Sequence, residues 1–463
     1  MLGSQRTFDR AMTRSSIPAA FLEYAQRNLP RYTSYPTAVA FHDQVGEADA
    51  RSWAEAAEGP LSLYVHIPFC DQLCWYCGCN TTVPNGYGRI ARYLETLHQE
   101  IDLWAAALGK PPRTAHLHFG GGSPNALSAD DFEALVSHLR SAFGVEADAE
   151  VAVELDPRSL DRDFLAALAR SGVNRASLGV QTFDPIVQAK INRIQPFDQI
   201  AEGVAGLRRA GVTGVNFDLI YGLPGQDEAS MWRTAALAAE LRPDRVSVFG
   251  YAHVPWFAKH QKMIRTEDLA GPHGRWSQAE AADAVLISAG YQRIGLDHYA
   301  LPGDSLCQAL LEGRLKRNFQ GYTADAADTL IPLGVSAIGA FAQGFVQAAR
   351  TTDAWAAAVQ GGHLPIQRGV ATSAEDRLRA AVIERLMCDL EVDVGALCRA
   401  FGYAESWLDP ALAGLSALQA DGLCHRQGRR VRVGADARRL VRVVAAAFDA
   451  ALSTETVRHA QAV

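Results

Sequence analysis

Between about residues 60 and 340 the chain alternates short apolar runs with longer segments whose apolar residues recur every three or four positions. The short runs predict strands at 61–68, 115–120, 150–155, 175–180, 214–221, 245–251 and 293–297. Helical stripes lie between them. One follows Ser128-Ala-Asp-Asp131, which resembles a capping box, and places Phe132, Leu135, Val136, Leu139 and Phe143 on one face up to Gly144. Others run over 90–101 and 197–210, the latter stopped by Gly211. Regular strand, helix, strand order predicts a parallel sheet with right-handed crossovers, so the expected fold is α/β, a partial or open (β/α) barrel.

The pattern changes after Gly361-Gly-His-Leu-Pro365. A mainly helical region is predicted from a capping box at Thr372-Ser-Ala-Glu375, followed by a basic hairpin-like stretch from Cys424 to Val433 and a helix over about 436–452. The expected organisation is an N-terminal arm (1–50), a barrel (51–360) and a small helical C-terminal domain (361–463). Helices with a basic hairpin also suggest a winged DNA-binding module. Glu375, Asp376, Glu384, Asp389, Glu391 and Asp393 in the same region argue instead for a lid or scaffold over the barrel mouth, with the arm packed against it.

Composition narrows the class. The 463 residues are 48% hydrophobic and 21% charged, with a net charge of −7, which gives no electrostatic footprint for nucleic acid or an anionic membrane. Met1 to Ser16 carries Arg6, Asp9, Arg10 and Arg14 without an apolar core, so a secretory signal is not expected, and no apolar run approaches transmembrane length. Cys307, Cys388, Cys398 and Cys424 are scattered singly, as reduced buried thiols of a cytoplasmic protein would be.

The other four cysteines, Cys70, Cys74, Cys77 and Cys79, fall within ten residues directly after the first predicted strand. Pro68, Gly78 and the interleaved Phe69, Trp75 and Tyr76 favour an irregular loop over a helix face of small apolar residues. A structural zinc site is the other bland reading, but it takes its ligands in two separated pairs, and no second pair follows. Three thiolates spaced C-x3-C-x2-C suit three corners of a [4Fe-4S] cube whose fourth iron stays open. Chemistry in parallel α/β folds gathers at the carboxyl ends of the strands. Those ends read Gly120-Gly-Gly-Ser-Pro-Asn125, Glu154-Leu-Asp-Pro-Arg158, Gln181-Thr-Phe183, Asp218-Leu-Ile-Tyr-Gly-Leu-Pro224 and Tyr251-Ala-His253. Each alone is an ordinary turn or cap; together, after the cysteine cluster, they outline a site.

The three-cysteine spacing resembles that of the radical S-adenosylmethionine (SAM) enzymes. Nearly end to end, the chain is similar to one family among them, the oxygen-independent coproporphyrinogen III oxidases. The marks are Arg31-Tyr-Thr-Ser-Tyr-Pro-Thr37, Tyr64-Val-His-Ile-Pro-Phe-Cys70 with the added Cys79, the Gly-Gly-Gly-Ser-Pro and Glu-Leu-Asp-Pro-Arg strand ends, Asp297-His-Tyr-Ala300, Asn318-Phe-Gln-Gly-Tyr-Thr323 and Gly334-Val-Ser-Ala-Ile338. The resemblance implies Cys70, Cys74 and Cys77 as cluster ligands, with one SAM on the open iron and a second SAM beside it. It assigns Tyr64, Tyr76, Gly121, Glu154 and Ile338 to the first SAM, and Gly122, Ser123, Gln181, Arg193, Asp218 and Ala252 to the second. Tyr76 and Ser123 depart from the Phe and Thr common in the family but keep the aromatic face and the hydroxyl.

The implied reaction is oxidative decarboxylation of two propionates of coproporphyrinogen III to vinyl groups, by a monomer that binds neither nucleic acid nor membrane. Its four propionates call for arginines, and Arg31 and Arg317, beside family-specific motifs, are the candidates. Cys79 and His66 are candidate catalytic residues: Cys79 as a pocket thiol, a hydrogen relay or a folding requirement, and His66 as a catalytic or a structural histidine. A haem chaperone on the same scaffold commonly lacks Cys79, and radical SAM enzymes acting on other tetrapyrroles should lack the Asn318 block.

Overall fold

The computed structural model describes residues 17–110, 113–452 and 462–463. The stretch 1–16, considered above as a targeting signal, lies outside the described residues. In chain order the first strands are β1 (Leu61–Ile67), β2 (Thr114–Gly121), β3 (Val145–Leu155), β4 (Arg175–Gln181), β5 (Gly214–Tyr221) and β6 (Arg245–Gly250). Then come β7 (Gln292–Ile294), β8 (His298–Ala300), β9 (Lys316–Asn318), β10 (Gly321–Thr323), β11 (Thr329–Leu333), β12 (Ile338–Phe341), β13 (Gly344–Ala348) and β14 (Ile366–Ala371).

Twelve of these build one sheet, ordered β14-β13-β12-β11-β1-β2-β3-β4-β5-β6-β8-β7. The run from β11 through β1 to β6 is parallel. Both flanks are antiparallel, and β7 and β14 do not pair with each other, so the barrel is open. The expected strand at 293–297 is corrected by this topology. The chain turns at Gly295, whose φ is +51°, and returns as β8 antiparallel to β6; the seventh parallel strand is β11, on the other side of β1. The sheet also runs past residue 360, because β14 pairs with β13.

Strand period explains why this sheet has a polar inside. In β1 to β5 the alternate residues Leu63, Val65, Leu117, Phe119, Val151, Val153, Leu178, Val180, Phe217 and Leu219 are at most 1% exposed and face the helical layer, where Phe119 packs on Phe132 of the helix Ala129–Phe143 at 5.1 Å between ring centroids. Their neighbours Tyr64, His66, His118, Glu154, Ser177 and Asp218 point the other way. Burying ten such side chains at roughly 1.5–3 kcal/mol each leaves the inner face free to be polar.

Three helix-end expectations change. Ser128 does cap Asp131 N–H, but its own N–H donates to Tyr87 Oη, so the box is only half formed. The C-terminal capping box is Ser373 with Asp376, one residue beyond the expected pair. The expected helix at 436–452 is instead a 3₁₀ turn (Ala435–Leu440), a short helix (Val441–Ala445) and another 3₁₀ turn (Ala446–Phe448).

The C-terminal region adds a three-stranded antiparallel sheet of β15 (Glu391–Asp393), β16 (Cys424–Gln427) and β17 (Arg430–Val433). Three of its arginines are ion-paired, Arg429 with Asp409 at 2.7 Å and Arg430 and Arg432 with Glu391, and Arg426 donates to Gly428 O and Leu412 O, so most of the hairpin's basic charge is already compensated. The arm docks here: Tyr24 Oη donates to Asp421 at 2.5 Å and Tyr32 Oη to Asp449 at 3.1 Å. Among the described residues no helix is long and apolar enough to cross a membrane.

Candidate functional site

The cysteine loop leaves β1 and is irregular, as its Pro and Gly residues predict. Its backbone is tied on both sides: Cys70 N–H donates to Thr82 O at 3.1 Å, and Thr82 N–H to Pro68 O at 2.8 Å. Trp75 N–H donates to Ile191 O at 3.0 Å, Asn192 Nδ2 to Leu73 O at 2.9 Å and Gln261 Nε2 to Tyr76 O at 2.8 Å. The glycine run at the end of β2 slides under it. Gly122 and Ser123 donate their N–H groups to Ile67 O and Phe69 O, and a Cβ on Gly122 would sit 2.4 Å from Phe69 O. Glycine is needed there for close backbone approach.

Cys70, Cys74, Cys77 and Cys79 all line one cavity of about 530 Å³, together with Tyr76, Gly121, Gly122, Ser123, Glu154, Gln181, Arg193, Asp218, Ala252 and Arg31. Tyr64, His66 and Ile338 line an adjoining cavity of about 280 Å³ that shares Cys79, Gly121 and Glu154 with the first. Arg317 is in neither. It borders a third, small pocket that meets the first at Arg31, so the two candidate substrate arginines are brought together but only Arg31 reaches the cysteine cavity.

The thiols sit in a graded environment. Hydroxyls of Thr81 and Ser123 lie 3.2 and 3.7 Å from the Cys70 sulfur. Cys74 is buried and faces two guanidiniums, Arg158 Nη2 at 3.4 Å and Arg193 Nη1 at 3.3 Å. Contact with Cys79 outweighs burial and lowers the Cys77 pKa to about 7, while the same contact raises that of Cys79. Positive charge and hydrogen-bond donors favour thiolates. Among the described residues no group of three ligands converges as a single metal ion would require, whereas a cube takes each thiolate on a different iron. Three thiols on one short loop, each free to take a different iron, fit such a cluster.

Glu154, exposed only into the cavities, accepts from His118 Nε2 at 3.1 Å and from Gly121 N–H at 3.3 Å. Burial opposes its ionisation, but His118 and the Gly121 amide outweigh it and hold the pKa low. Burial raises the Asp218 pKa despite hydrogen bonds from Ser177 and Asn216. Gln181 holds a left-handed φ of +64°, a strained choice for a residue with a Cβ, which points it into the cavity.

His66 has both ring nitrogens engaged, Nδ1 with Tyr64 Oη at 3.1 Å and Nε2 with Asn80 O at 2.9 Å. Burial lowers its pKa, so it is a neutral strut that fixes the far end of the cysteine loop. Arg193 is likewise committed: its nitrogens reach Asp156, Gly179 O, Gln195 and Cys74. The sequence quoted Asp156 and Arg158 only within a motif, and Asn192 and His118 not at all. Asp156 and Arg158 follow the end of β3, whereas Asn192 lies beyond a short helix and His118 within β2, and only the fold brings these two to the cysteine loop and to Glu154.

An open parallel barrel with a three-cysteine loop at the carboxyl end of its first strand defines a radical SAM protein, and the Radical SAM superfamily profile matches residues 64–238. The family uses a [4Fe-4S] cluster and SAM. The chain is 46% identical to the oxygen-independent coproporphyrinogen III oxidase of Bradyrhizobium diazoefficiens over 96% of this chain and 99% of that one. It is 39% identical to the enzyme of the same name from Pseudomonas aeruginosa, covering 91% and 93%. The solved structure of the Escherichia coli coproporphyrinogen III oxidase, described as a radical SAM enzyme, superimposes with a TM-score of 0.87 at 37% identity, covering 92% of this chain and all of that one. The chain belongs to the oxygen-independent coproporphyrinogen III oxidase family.

Proposed function

We propose that this protein catalyses the oxidative decarboxylation of two propionate side chains of coproporphyrinogen III to vinyl groups, giving protoporphyrinogen IX in haem biosynthesis. The observation that supports this reading best is the continuity of the cysteine cavity with an arginine-bordered pocket through Arg31. One end has the thiols for a redox centre, and the other has cations suited to a polycarboxylate.

Cys70, Cys74 and Cys77 would hold the [4Fe-4S] cluster. When bound, cluster and SAM supply the electron and the carbon-centred radical that removes hydrogen from a propionate β-carbon. The protein's share is placement. His66 and Asn192 fix the loop, Arg158 and Arg193 hydrogen-bond the Cys74 sulfur, and the glycine run lets the loop lie flat on the sheet. Glu154, held ionised, accepts hydrogen bonds from hydroxyl or ammonium groups in the cavity. Loss of carbon dioxide and transfer of one electron from the substrate to an external electron acceptor then completes each vinyl group.

We further propose two SAM molecules per chain. The joined cavities support this: Gly122, Ser123, Gln181, Arg193, Asp218 and Ala252, proposed for the second SAM, all line the cysteine cavity, while of the residues proposed for the first SAM Tyr64 and Ile338 line the adjoining cavity, Tyr76 the cysteine cavity, and Gly121 and Glu154 both.

Anaerobic incubation of iron-reconstituted protein with SAM, reductant, an electron acceptor and coproporphyrinogen III, with mass analysis of the porphyrins, tests the reading. Loss of two carbon dioxide units per porphyrin is expected. SAM cleavage without any decarboxylated porphyrin would move the substrate elsewhere, and haem retention without SAM cleavage would favour a chaperone.

A further inference from the structure

A basin of about 1140 Å³ opens beside the cysteine cavity and shares Gly78, Cys79 and Phe257 with it. Cys79, Asn80 and Ser336 are common to the basin and the cavity of about 280 Å³, so all three spaces meet at Cys79. The outer walls come from three separate parts of the chain. The arm contributes Val39 and Phe41, just before a two-way backbone pairing in which His42 and Gly369 each donate to the other's carbonyl at 2.9 Å. Arg350 follows β13, Arg368 lies on β14, and the loop after β6 adds Phe257 and Lys259. Near the undescribed ends of the chain, Phe21 packs on Trp276 and Val463 O accepts from Arg275, both on the helix Pro272–Ser288, which contributes nothing to this basin.

Lys259, Arg350 and Arg368 border the basin against one carboxylate, Asp43, and none of these four is ion-paired among the described residues. Arg368 Nε donates to the neutral Gln347 at 2.7 Å, and its guanidinium lies over the Phe41 ring. Burial and the nearby Arg350 lower the Arg368 pKa, the response of a cation whose neighbour carries like charge. Arg350 is fixed by its backbone, which donates to Gln367 Oε1 and accepts from Asn80 Nδ2, while the residue is exposed. Apolar faces lie among these charges: Phe257 is 62% and Val39 54% exposed. A concave space that combines apolar faces with unpaired cations suits an apolar ring bearing carboxylates. Small-molecule sites span roughly 300–1,000 Å³, so this one takes a large ligand. The cysteine cavity, at about 530 Å³, has SAM to hold as well, and a tetrapyrrole ring needs the larger space.

We propose that this basin holds the tetrapyrrole ring, with Arg350, Arg368 and Lys259 receiving carboxylates of propionates that are not reacting, while the reacting propionate passes Cys79 into the cysteine cavity. The inference rests on the function proposed above and gives its substrate a place. Cations at a rim also suit an acidic redox protein, but a concavity continuous with the cysteine cavity favours a small molecule that enters it.

The experiment is an anaerobic fluorescence titration of the cluster-reconstituted protein with coproporphyrin III and with its uncharged tetramethyl ester, alongside SAM binding. It compares the parent with Arg350→Gln, Arg350→Lys, the double variant Arg350→Gln with Arg368→Gln, and Lys110→Gln, an equal change of charge at an exposed lysine outside the basin. Losing charge-assisted contacts predicts roughly tenfold or greater weakening for the free acid in the double variant and about threefold in Arg350→Gln. Arg350→Lys should recover part of the loss, Lys110→Gln should match the parent, and ester and SAM affinities should not change. Arg350 is exposed, so its single variants decide the matter if the double variant fails to fold. Unchanged affinity for the free acid in Arg350→Gln and the double variant, or equal weakening in Lys110→Gln, overturns the proposal while the function above still stands. Parent-like porphyrin binding with turnover lost only when a protein replaces dithionite as reductant also overturns it, and makes the basin a docking face for that protein. A parent protein that neither binds coproporphyrin nor turns over coproporphyrinogen removes both, and is recognised because the parent itself fails.

Discussion

Arg193 donates from one Nη1 atom both to the Asp156 carboxylate at 3.2 Å and to the sulfur of Cys74 at 3.3 Å. Asp156 also binds Arg158 at 2.6 Å, and the side chains of Arg193 and Asp156 are 7% and 8% exposed. One carboxylate thus supports two cations that face one thiol. Asp156→Ala leaves both buried and uncompensated, and a loss of about 3–5 kcal/mol is expected. Urea unfolding of the apoprotein measures it; a change below about 1 kcal/mol would contradict the account.

Beneath the cysteine loop, Glu100 is fully buried and accepts from Gly334 N–H and Trp355 Nε1 with one oxygen, while Oε1 lacks a partner. Burial raises its pKa to about 8. Since the folded value exceeds the unfolded one of about 4.3, the folded state binds the extra proton. The stabilisation is full below about pH 4 and is lost as pH rises toward 8. Glu100→Gln should remove a pH-dependent difference on the order of 4 kcal/mol across that window, so the variant gains on the parent most at pH 8. Parallel stability curves between pH 5 and 8 would refute this.

A methyl group at position 122 would displace the backbone on which Cys70 depends, whereas one at Gly303 meets nothing within 4 Å. Gly122→Ala should fold with at least about 1–3 kcal/mol of overpacking strain and bind markedly less iron after reconstitution. Gly303→Ala should match the parent. Iron and sulfide analysis of the two variants separates the outcomes.

Cys79 is exposed to the cavity, and its backbone N–H, rather than its sulfur alone, reaches the Cys77 sulfur at 3.4 Å. Cys79→Ser preserves that amide, so iron and sulfide content should equal the parent's, while Cys70→Ser, Cys74→Ser and Cys77→Ser should each lose the cluster. Loss of iron in Cys79→Ser would make it a fourth ligand and would rule out an open iron.

The parallel strands were legible because their helix-facing residues, such as Leu117, Phe119, Phe217 and Leu219, are apolar at every second position, and the cysteine loop because Pro and Gly forbid a helix through it. What failed was chain direction at short elements. Gly295 turned an expected parallel strand into a hairpin edge, and an alanine-rich C-terminal stretch with helical period broke into 3₁₀ turns around Arg438 and Arg442, which are held by Gly295 O and Leu29 O. At the site, single residues such as Glu154 were visible as strand ends. Their partners were not: His118 meets Glu154 from 36 residues away, and only the folded loop brings Asn80 O to His66.

The central claim is that a radical generated at the cysteine cavity removes hydrogen from a propionate β-carbon of a porphyrinogen held there. The direct test uses coproporphyrinogen III deuterated at those β-carbons, with mass analysis of the 5′-deoxyadenosine formed by the reconstituted protein. The account predicts deuterium in the deoxyadenosine, about one nucleoside per vinyl group, and none in the absence of porphyrinogen. Protoporphyrinogen formed with unlabelled deoxyadenosine, or formed equally well by Cys77→Ser, would contradict it.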